Sequence, residues 1–131
     1  MHCEPGAAPA GGAVTDAGSR AHAAARRAAA DYIAAVNAGD LGRLEALLAE
    51  DAVLEHPAGL YSGARSITDF YRDSVFGLGT TLTIVSATTA GGRCVLEVVG
   101  RSPLGEEIVH ACDIFDVDGD GRIVSMRVYI R

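Results

Sequence analysis

Three side chains of this 131-residue sequence could carry out acid–base chemistry in apolar surroundings, although they lie far apart along the chain. Asp113 shares a strand face, by period-two alternation, with four apolar residues: Val109, Ala111, Phe115 and Val117. A carboxylate in an apolar site is costly to keep charged, so this pattern predicts a protonated acid that donates a hydrogen bond. An aspartate at a strand edge that reaches solvent fits the segment equally well.

The other two candidates are Tyr32 and His56. Tyr32 is the one large residue with a polar tip on an alanine-rich helical stripe, so its ring would be buried and its hydroxyl would need a partner. His56 ends a short apolar strand directly before Pro57, and a neutral imidazole can accept a proton near pH 7. Each residue also has a structural interpretation, as a core tyrosine and as a histidine that only ends a strand.

The elements that must position these residues follow an α+β order. Helical spacing of apolar residues predicts three helices, over 19–38, 41–49 and 64–76. Period-two alternation predicts five strands, over 52–56, 81–87, 93–100, 108–117 and 122–130. Residues 60–63 are predicted to form a loop. We expect a curved, cone-shaped antiparallel sheet packed on the three helices, with a pocket between the sheet and the first and third helices.

Length and composition favour one domain, residues 19–131, after a disordered N-terminal tail, residues 1–18, that is rich in Gly and Pro. The net charge of −6 argues against a nucleic-acid surface, and no apolar run is long enough to span a membrane. The N-terminus lacks the apolar core of a signal peptide. Three cysteines, at positions 3, 94 and 112, show no disulfide or metal spacing, so we expect reduced thiols and a cytoplasmic location.

One motif is rejected, and no cofactor motif is found. The stretch from Asp116 to Gly121 resembles the start of an EF-hand loop, but the twelfth position is Arg127 instead of the bidentate Glu that such a loop needs. Its Asp and Gly residues predict a hairpin turn. The sequence contains no nucleotide-binding, flavin-binding or nucleophilic-serine motif. We therefore expect neither a metal nor an organic cofactor.

Four segments together resemble the bacterial Δ5-3-ketosteroid isomerases of the SnoaL-like/NTF2-like superfamily. They are Asp31 to Leu41, Asp51 to Gly59, Asp69 to Tyr71, and Asp113 to Phe115 together with Gly121 to Arg127. The resemblance extends in register from about residue 28 to residue 128. It implies the cone-shaped fold of that superfamily and a hydrophobic ketone substrate.

The resemblance also implies roles for individual residues. Tyr32 and Asp113 match the tyrosine and the protonated aspartic acid that form the family's oxyanion hole. Tyr71 matches a tyrosine close to the first one. Phe115 and Met126 lie in matching segments and would support the site or contact the substrate.

The chain departs from the family at the general base. The family places an aspartate directly before the proline of the short strand, and here that residue is His56. The sequence therefore predicts His56 as the base of a cofactor-free allylic isomerisation. An imidazole becomes cationic on accepting a proton, whereas a carboxylate becomes neutral. The replacement of aspartate by histidine therefore puts the identity of the substrate in question more than the proton-transfer chemistry.

Two alternative functions and one expectation about assembly complete the interpretation. The alternatives are a SnoaL-like cyclase or dehydratase of polyketide or polyether biosynthesis, and a non-catalytic domain that binds a small ligand. We also expect a homodimer that forms through the outer face of the sheet. Alternation along the strands places four apolar residues on that face: Leu96, Val98, Ile114 and Val124.

Overall fold

A computed structural model describes residues 12–105 and 108–131 of the chain. Three helices are present, α1 (Gly12–Ala38), α2 (Leu41–Leu47) and α3 (Ala64–Ser74), and α3 is followed by a 3₁₀ turn (Phe76–Leu78). The six strands are β1 (Leu48–His56), β2 (Gly59–Ser62), β3 (Thr81–Ala90), β4 (Arg93–Arg101), β5 (Val109–Val117) and β6 (Ile123–Ile130). They form one sheet in the order β2-β1-β6-β5-β4-β3. The predicted α+β fold, with a curved sheet packed on three helices, is confirmed.

Helix α1 ends where the sequence predicts but begins earlier. Gly39 has φ +64°, a left-handed conformation that suits glycine, and it ends the helix. Asp40 then caps α2 by accepting the Arg43 N–H at 3.0 Å. The helix starts at Gly12, after both Pro residues and two of the four Gly residues of the predicted tail. The rest of the predicted tail, residues 1–11, lies outside the described residues.

The sheet contains two features that the sequence did not indicate. Residues predicted as a loop form β2, which pairs with β1 through a tight turn at Pro57 and Ala58. Strand β1 also pairs with β6 in parallel, whereas the other strand pairings among the described residues are antiparallel. Strand β1 already begins at Leu48, which pairs with Ile123, so α2 is two residues shorter than predicted.

The register between β4 and β5 corrects the prediction for Leu96 and Val98. Leu96 lies opposite Asp113 and Val98 lies opposite Ala111, so both side chains point into the core, where each is 1% exposed. Val124 is half-buried and packs against the core. Of the four residues predicted to face outward, only Ile114 supports the outer apolar face, and the homodimer stays a prediction.

A side chain joins the C-terminal end of α1 to the edge strand β3. The Asn37 amide donates a hydrogen bond to the Leu82 carbonyl oxygen at 3.0 Å, and Asn37 Oδ1 accepts the Leu82 N–H at 2.7 Å. The side chain thereby satisfies both backbone groups of one strand residue. It fixes the last turns of α1, which carry Tyr32, relative to the sheet.

No helix within the described part of the chain combines the length and the apolar character that crossing a membrane requires.

Candidate functional site

A cavity of about 520 Å³ lies between the inner face of the sheet and helices α1 and α3. Its wall is mostly apolar and includes Phe70, Val75, Leu82, Val98, Ala111 and Val128. The polar side chains Tyr32, Tyr71, His56 and Asp113 line the same cavity. A larger and more open surface hollow beside α3, about 790 Å³, contains none of these four residues, so we assign no chemistry to it.

Asp113 points into the cavity from the middle of β5. It is 3% exposed, which shows that the alternative of a strand-edge aspartate in solvent is wrong. Its neighbours across the sheet are Leu96 on β4 and Val128 on β6. Among the described residues, its carboxyl group forms no hydrogen bond. Burial in these apolar surroundings raises the pKa of Asp113 to about 7.

Tyr32 and Tyr71 form a buried pair next to Asp113. Their hydroxyl oxygens are 2.9 Å apart, and the two rings meet edge to face with their centres 5.9 Å apart. Burial raises the pKa of both hydroxyls above the ordinary tyrosine value, and the nearby Asp113 carboxylate raises each pKa further. Both hydroxyls are therefore protonated near neutral pH. Since each hydroxyl has only one proton, one of the pair keeps a proton to donate elsewhere.

Phe115 and Met126 are buried behind the site and do not line the cavity. The Phe115 ring centre lies 4.9 Å from that of Tyr32, so it supports the tyrosine ring from the core side. Met126 lies opposite Phe115 in the sheet and is 1% exposed. The structure thus places both residues as packing support, away from where a ligand would bind.

His56 enters the cavity at the end of β1. Its ring packs on Phe70, with ring centres 4.7 Å apart, and the side chain is partly buried. The imidazole Nδ1 accepts the backbone N–H of Ala58 at 3.0 Å. Burial lowers the pKa of His56 below its usual value, so the ring is neutral near pH 7.

His56 and Asp113 lie in one row across the sheet. Glu55 pairs with Arg127 in the parallel register, which places His56 beside Val128, and Val128 pairs with Asp113. Two strand spacings therefore separate the backbones of His56 and Asp113, a distance of about 10 Å. The two groups would contact different atoms of a bound molecule, across an apolar floor.

The contact from Ala58 was not predicted from the sequence. The signal that could have indicated it is the Pro57-Ala58-Gly59 turn, where a side-chain acceptor can bind the N–H two residues ahead, as Asp and Asn do in turns. Within the described residues, no group of three or more His, Cys, Asp or Glu side chains could hold a metal ion. The expectation of a cofactor-free site stays a prediction.

Comparison with known proteins identifies the family of this chain. The family model of the SnoaL-like domain matches residues 29–126. A steroid Delta-isomerase of Nocardioides simplex is 30% identical over 108 residues, which cover 79% of this chain and 87% of that protein. These matches confirm the resemblance seen in the sequence.

Two solved structures from Mycobacterium tuberculosis illustrate the structural likeness. An LEH-like epoxide hydrolase is 26% identical with a TM-score of 0.73, covering 84% of each chain. The protein RV0760c, in complex with estradiol-17beta-hemisuccinate, is 22% identical with a TM-score of 0.73, covering 81% of this chain and 92% of that chain. Together with further NTF2-like structures, they confirm the predicted fold family.

Proposed function

Since the chain belongs to the family of SnoaL-like domains, we propose that it is a cofactor-free enzyme that moves a proton next to the carbonyl group of a hydrophobic ketone. The reaction passes through an enolate and leads to allylic isomerisation. One C–H bond breaks beside the carbonyl group and another forms farther along the molecule. Substrate and product therefore contain the same atoms, and no co-reactant is needed.

The cavity supports a hydrophobic substrate with a polar group at one point. Its wall is mostly apolar, and its volume of about 520 Å³ is in the range of sites for small organic molecules. The related isomerase is named for steroids, and the related protein RV0760c holds a steroid derivative. A Δ5-3-ketosteroid is therefore the first substrate to test.

The observation that carries this proposal is the buried hydroxyl pair of Tyr32 and Tyr71 at 2.9 Å, next to Asp113. A carbonyl oxygen that reaches Tyr32 would accept a hydrogen bond from a donor already held in place by its partner. As the neighbouring carbon loses its proton, negative charge develops on that oxygen, and the interaction strengthens in water-poor surroundings. Tyr71 positions Tyr32 for this role.

Proton transfer requires a group that accepts the proton from carbon. Two groups that line the cavity could accept it: the imidazole of His56, whose pKa burial lowers, and the carboxyl group of Asp113, whose pKa burial raises to about 7. The sequence predicts His56 as the acceptor and Asp113 as a second donor to the carbonyl oxygen. Either group can reach a substrate that fills the cavity, because both side chains line it.

A SnoaL-like cyclase or dehydratase is the second candidate. It is favoured by the presence of His56 where the isomerases carry aspartate, about 10 Å across the sheet from Asp113. A polar group at that distance could bind a leaving hydroxyl or a second carbonyl group of the substrate. The enolate and its contact with Tyr32 would be common to both reactions.

Deuterium exchange tests the proposal without requiring the natural product. A Δ5-3-ketosteroid and a matching saturated ketosteroid are incubated with the protein in deuterated water, and exchange beside the carbonyl group is followed by NMR. We expect Tyr32→Phe to slow exchange about 10²–10³-fold. Tyr129→Phe is the matched control, because Tyr129 is exposed and lies away from the cavity. Ligand binding without exchange, or equal exchange by Tyr32→Phe, would contradict the proposal and favour a binding domain.

A further inference from the structure

We propose that His56 and Asp113 act in roles opposite to those predicted from the sequence: Asp113 takes the proton from carbon, and His56 donates a hydrogen bond to a second oxygen of the substrate. This inference rests on the proposed function, because it assigns the proton acceptor and the substrate class of the same cavity. The substrate would be a hydrophobic ketone with another oxygen acceptor farther along its skeleton.

The hydrogen bond from Ala58 determines what His56 can offer to a ligand. A neutral imidazole has one N–H and one ring nitrogen with a lone pair. Here the lone pair is on Nδ1, since Nδ1 accepts the Ala58 N–H at 3.0 Å, so the proton is on Nε2. Nε2 can accept a proton only if its own proton moves to Nδ1. Two N–H groups would then face each other, and the Ala58 hydrogen bond would be lost.

Asp113 has the opposite character. Its carboxyl group lines the cavity, is 3% exposed, and receives no hydrogen bond from the described residues. Both oxygens are therefore available to a ligand. Its surroundings across the sheet are the apolar side chains of Leu96 and Val128. When the carboxylate accepts a proton it becomes neutral, which such surroundings favour.

The effect of burial on the two groups supports the same assignment. Burial raises the pKa of Asp113 to about 7, and it lowers the pKa of His56 below the usual value of 6.5. Of the two, Asp113 is thus the stronger base, and its pKa lies near the pH at which a general base works best. His56 would have to become cationic in a partly buried site.

The step is balanced within the cavity. The carbonyl oxygen binds the Tyr32 hydroxyl, and the Asp113 carboxylate next to it removes a proton from the adjacent carbon. The electrons of that C–H bond form the C=C bond of the enolate, and the charge on oxygen is stabilised by Tyr32. The protonated Asp113 then returns the proton to another carbon. His56 takes no proton in this sequence, and it fixes the far end of the substrate through Nε2–H.

The tautomer of His56 can be measured directly. Nitrogen-15 NMR of the ring in the full-length protein should show a protonated Nε2 and an unprotonated Nδ1 at pH 7. His110 is the internal control, because it is exposed on the outer face of the sheet. A ring with its proton on Nδ1 would overturn the assignment of His56, whatever the enzymatic activity of the protein.

Three variants separate the roles in the exchange assay. We expect Asp113→Asn to slow deuterium exchange about 10²–10⁴-fold, because the amide cannot accept the proton. His56→Gln, whose amide keeps an N–H donor, should mainly affect KM. His56→Ala should raise KM more for a substrate with a second oxygen than for a simple ketone. The reverse pattern, with kcat lost in His56→Gln and kept in Asp113→Asn, would overturn the proposal.

Failure of the proposed function has a different signature. In that case the wild-type protein and Tyr32→Phe would both show no exchange with either ketone, and the variants at positions 56 and 113 would not differ from them. If exchange occurs, the pH dependence of its rate on the acidic side identifies the base. With Asp113 as the base, kcat falls as pH drops below about 7, and this limb disappears in Asp113→Asn.

Discussion

The buried carboxyl group of Asp113 should make the stability of the folded protein depend on pH in a way that one substitution removes. Burial raises its pKa from 3.8 to about 7, so the folded protein holds this proton more tightly than the unfolded chain. The charged form is then unfavourable in the fold. Stability should fall as pH rises from about 4 to about 7 and level off above pH 7.

The size of this effect follows from the rise in pKa. Each pKa unit corresponds to about 1.4 kcal/mol, so the rise to about 7 amounts to about 4 kcal/mol between pH 4 and pH 8. This value needs no reduction for screening of the charge by solvent, because Asp113 is 3% exposed. An uncharged amide at this position cannot titrate. Asp113→Asn should therefore gain stability relative to the wild type by about 4 kcal/mol over this range.

Urea unfolding at several pH values from 4 to 8.5 measures the difference. Unpaired polar groups of the buried amide would cost about 1–3 kcal/mol, but that cost is the same at every pH, so the slope of stability against pH is the diagnostic quantity. Asp120→Asn is the matched control, since Asp120 is exposed in the turn between β5 and β6. A difference between Asp113→Asn and the wild type that stays constant with pH would refute a raised pKa for Asp113.

Three further predictions concern the neighbours of this group and the assembly of the chain. Tyr71→Phe removes the hydrogen bond to Tyr32 and should lower the free energy of unfolding by about 1–3 kcal/mol, measured by urea, whereas a neutral result would show that Tyr32 has another partner. His56→Asp should raise kcat for isomerisation of a Δ5-3-ketosteroid, followed by ultraviolet absorbance, because the added carboxylate can accept the Ala58 N–H with one oxygen and a proton with the other, and it should raise KM because the Nε2–H donor is lost; an unchanged kcat would contradict this prediction. The homodimer through the outer sheet face predicts a dimer in sedimentation at micromolar concentration, and a monomer would contradict it.

Most of the fold could be predicted because its helices and longer strands carry clear periodicity. The period of β5 correctly places Asp113 and Phe115 on the inner face, since the other residues of that face, Val109, Ala111 and Val117, are apolar. Strand β4 carries its charged residues Arg93, Glu97 and Arg101 on one face and buries Cys94, Leu96 and Val98 on the other, so the prediction that Leu96 and Val98 face outward runs against the strand's own alternation. The four-residue strand β2 is too short to show a period.

The site could be predicted residue by residue but not as a set of hydrogen bonds. Helical and strand spacing indicated that Tyr32, His56 and Asp113 face inward, and the structure brings all three to one cavity. The pairing of β1 with β6 joins segments about 70 residues apart in the sequence, and no local pattern encodes such a pairing. The state of the His56 ring depends on a backbone N–H in the following turn, which side-chain patterns do not reveal.

The hydrogen bonds of Asn37 have a consequence for solubility. Strand β3 is ten residues long, lies at the edge of the sheet and contains no charged side chain, which are the features of an edge prone to intermolecular pairing. Asn37 occupies both backbone groups of Leu82 and so interrupts the row of groups that another chain could bind. The irregularity between Ile84 and Ser86 interrupts the same edge again. We therefore expect a side chain on the helix that carries Tyr32 to protect the protein against aggregation as well.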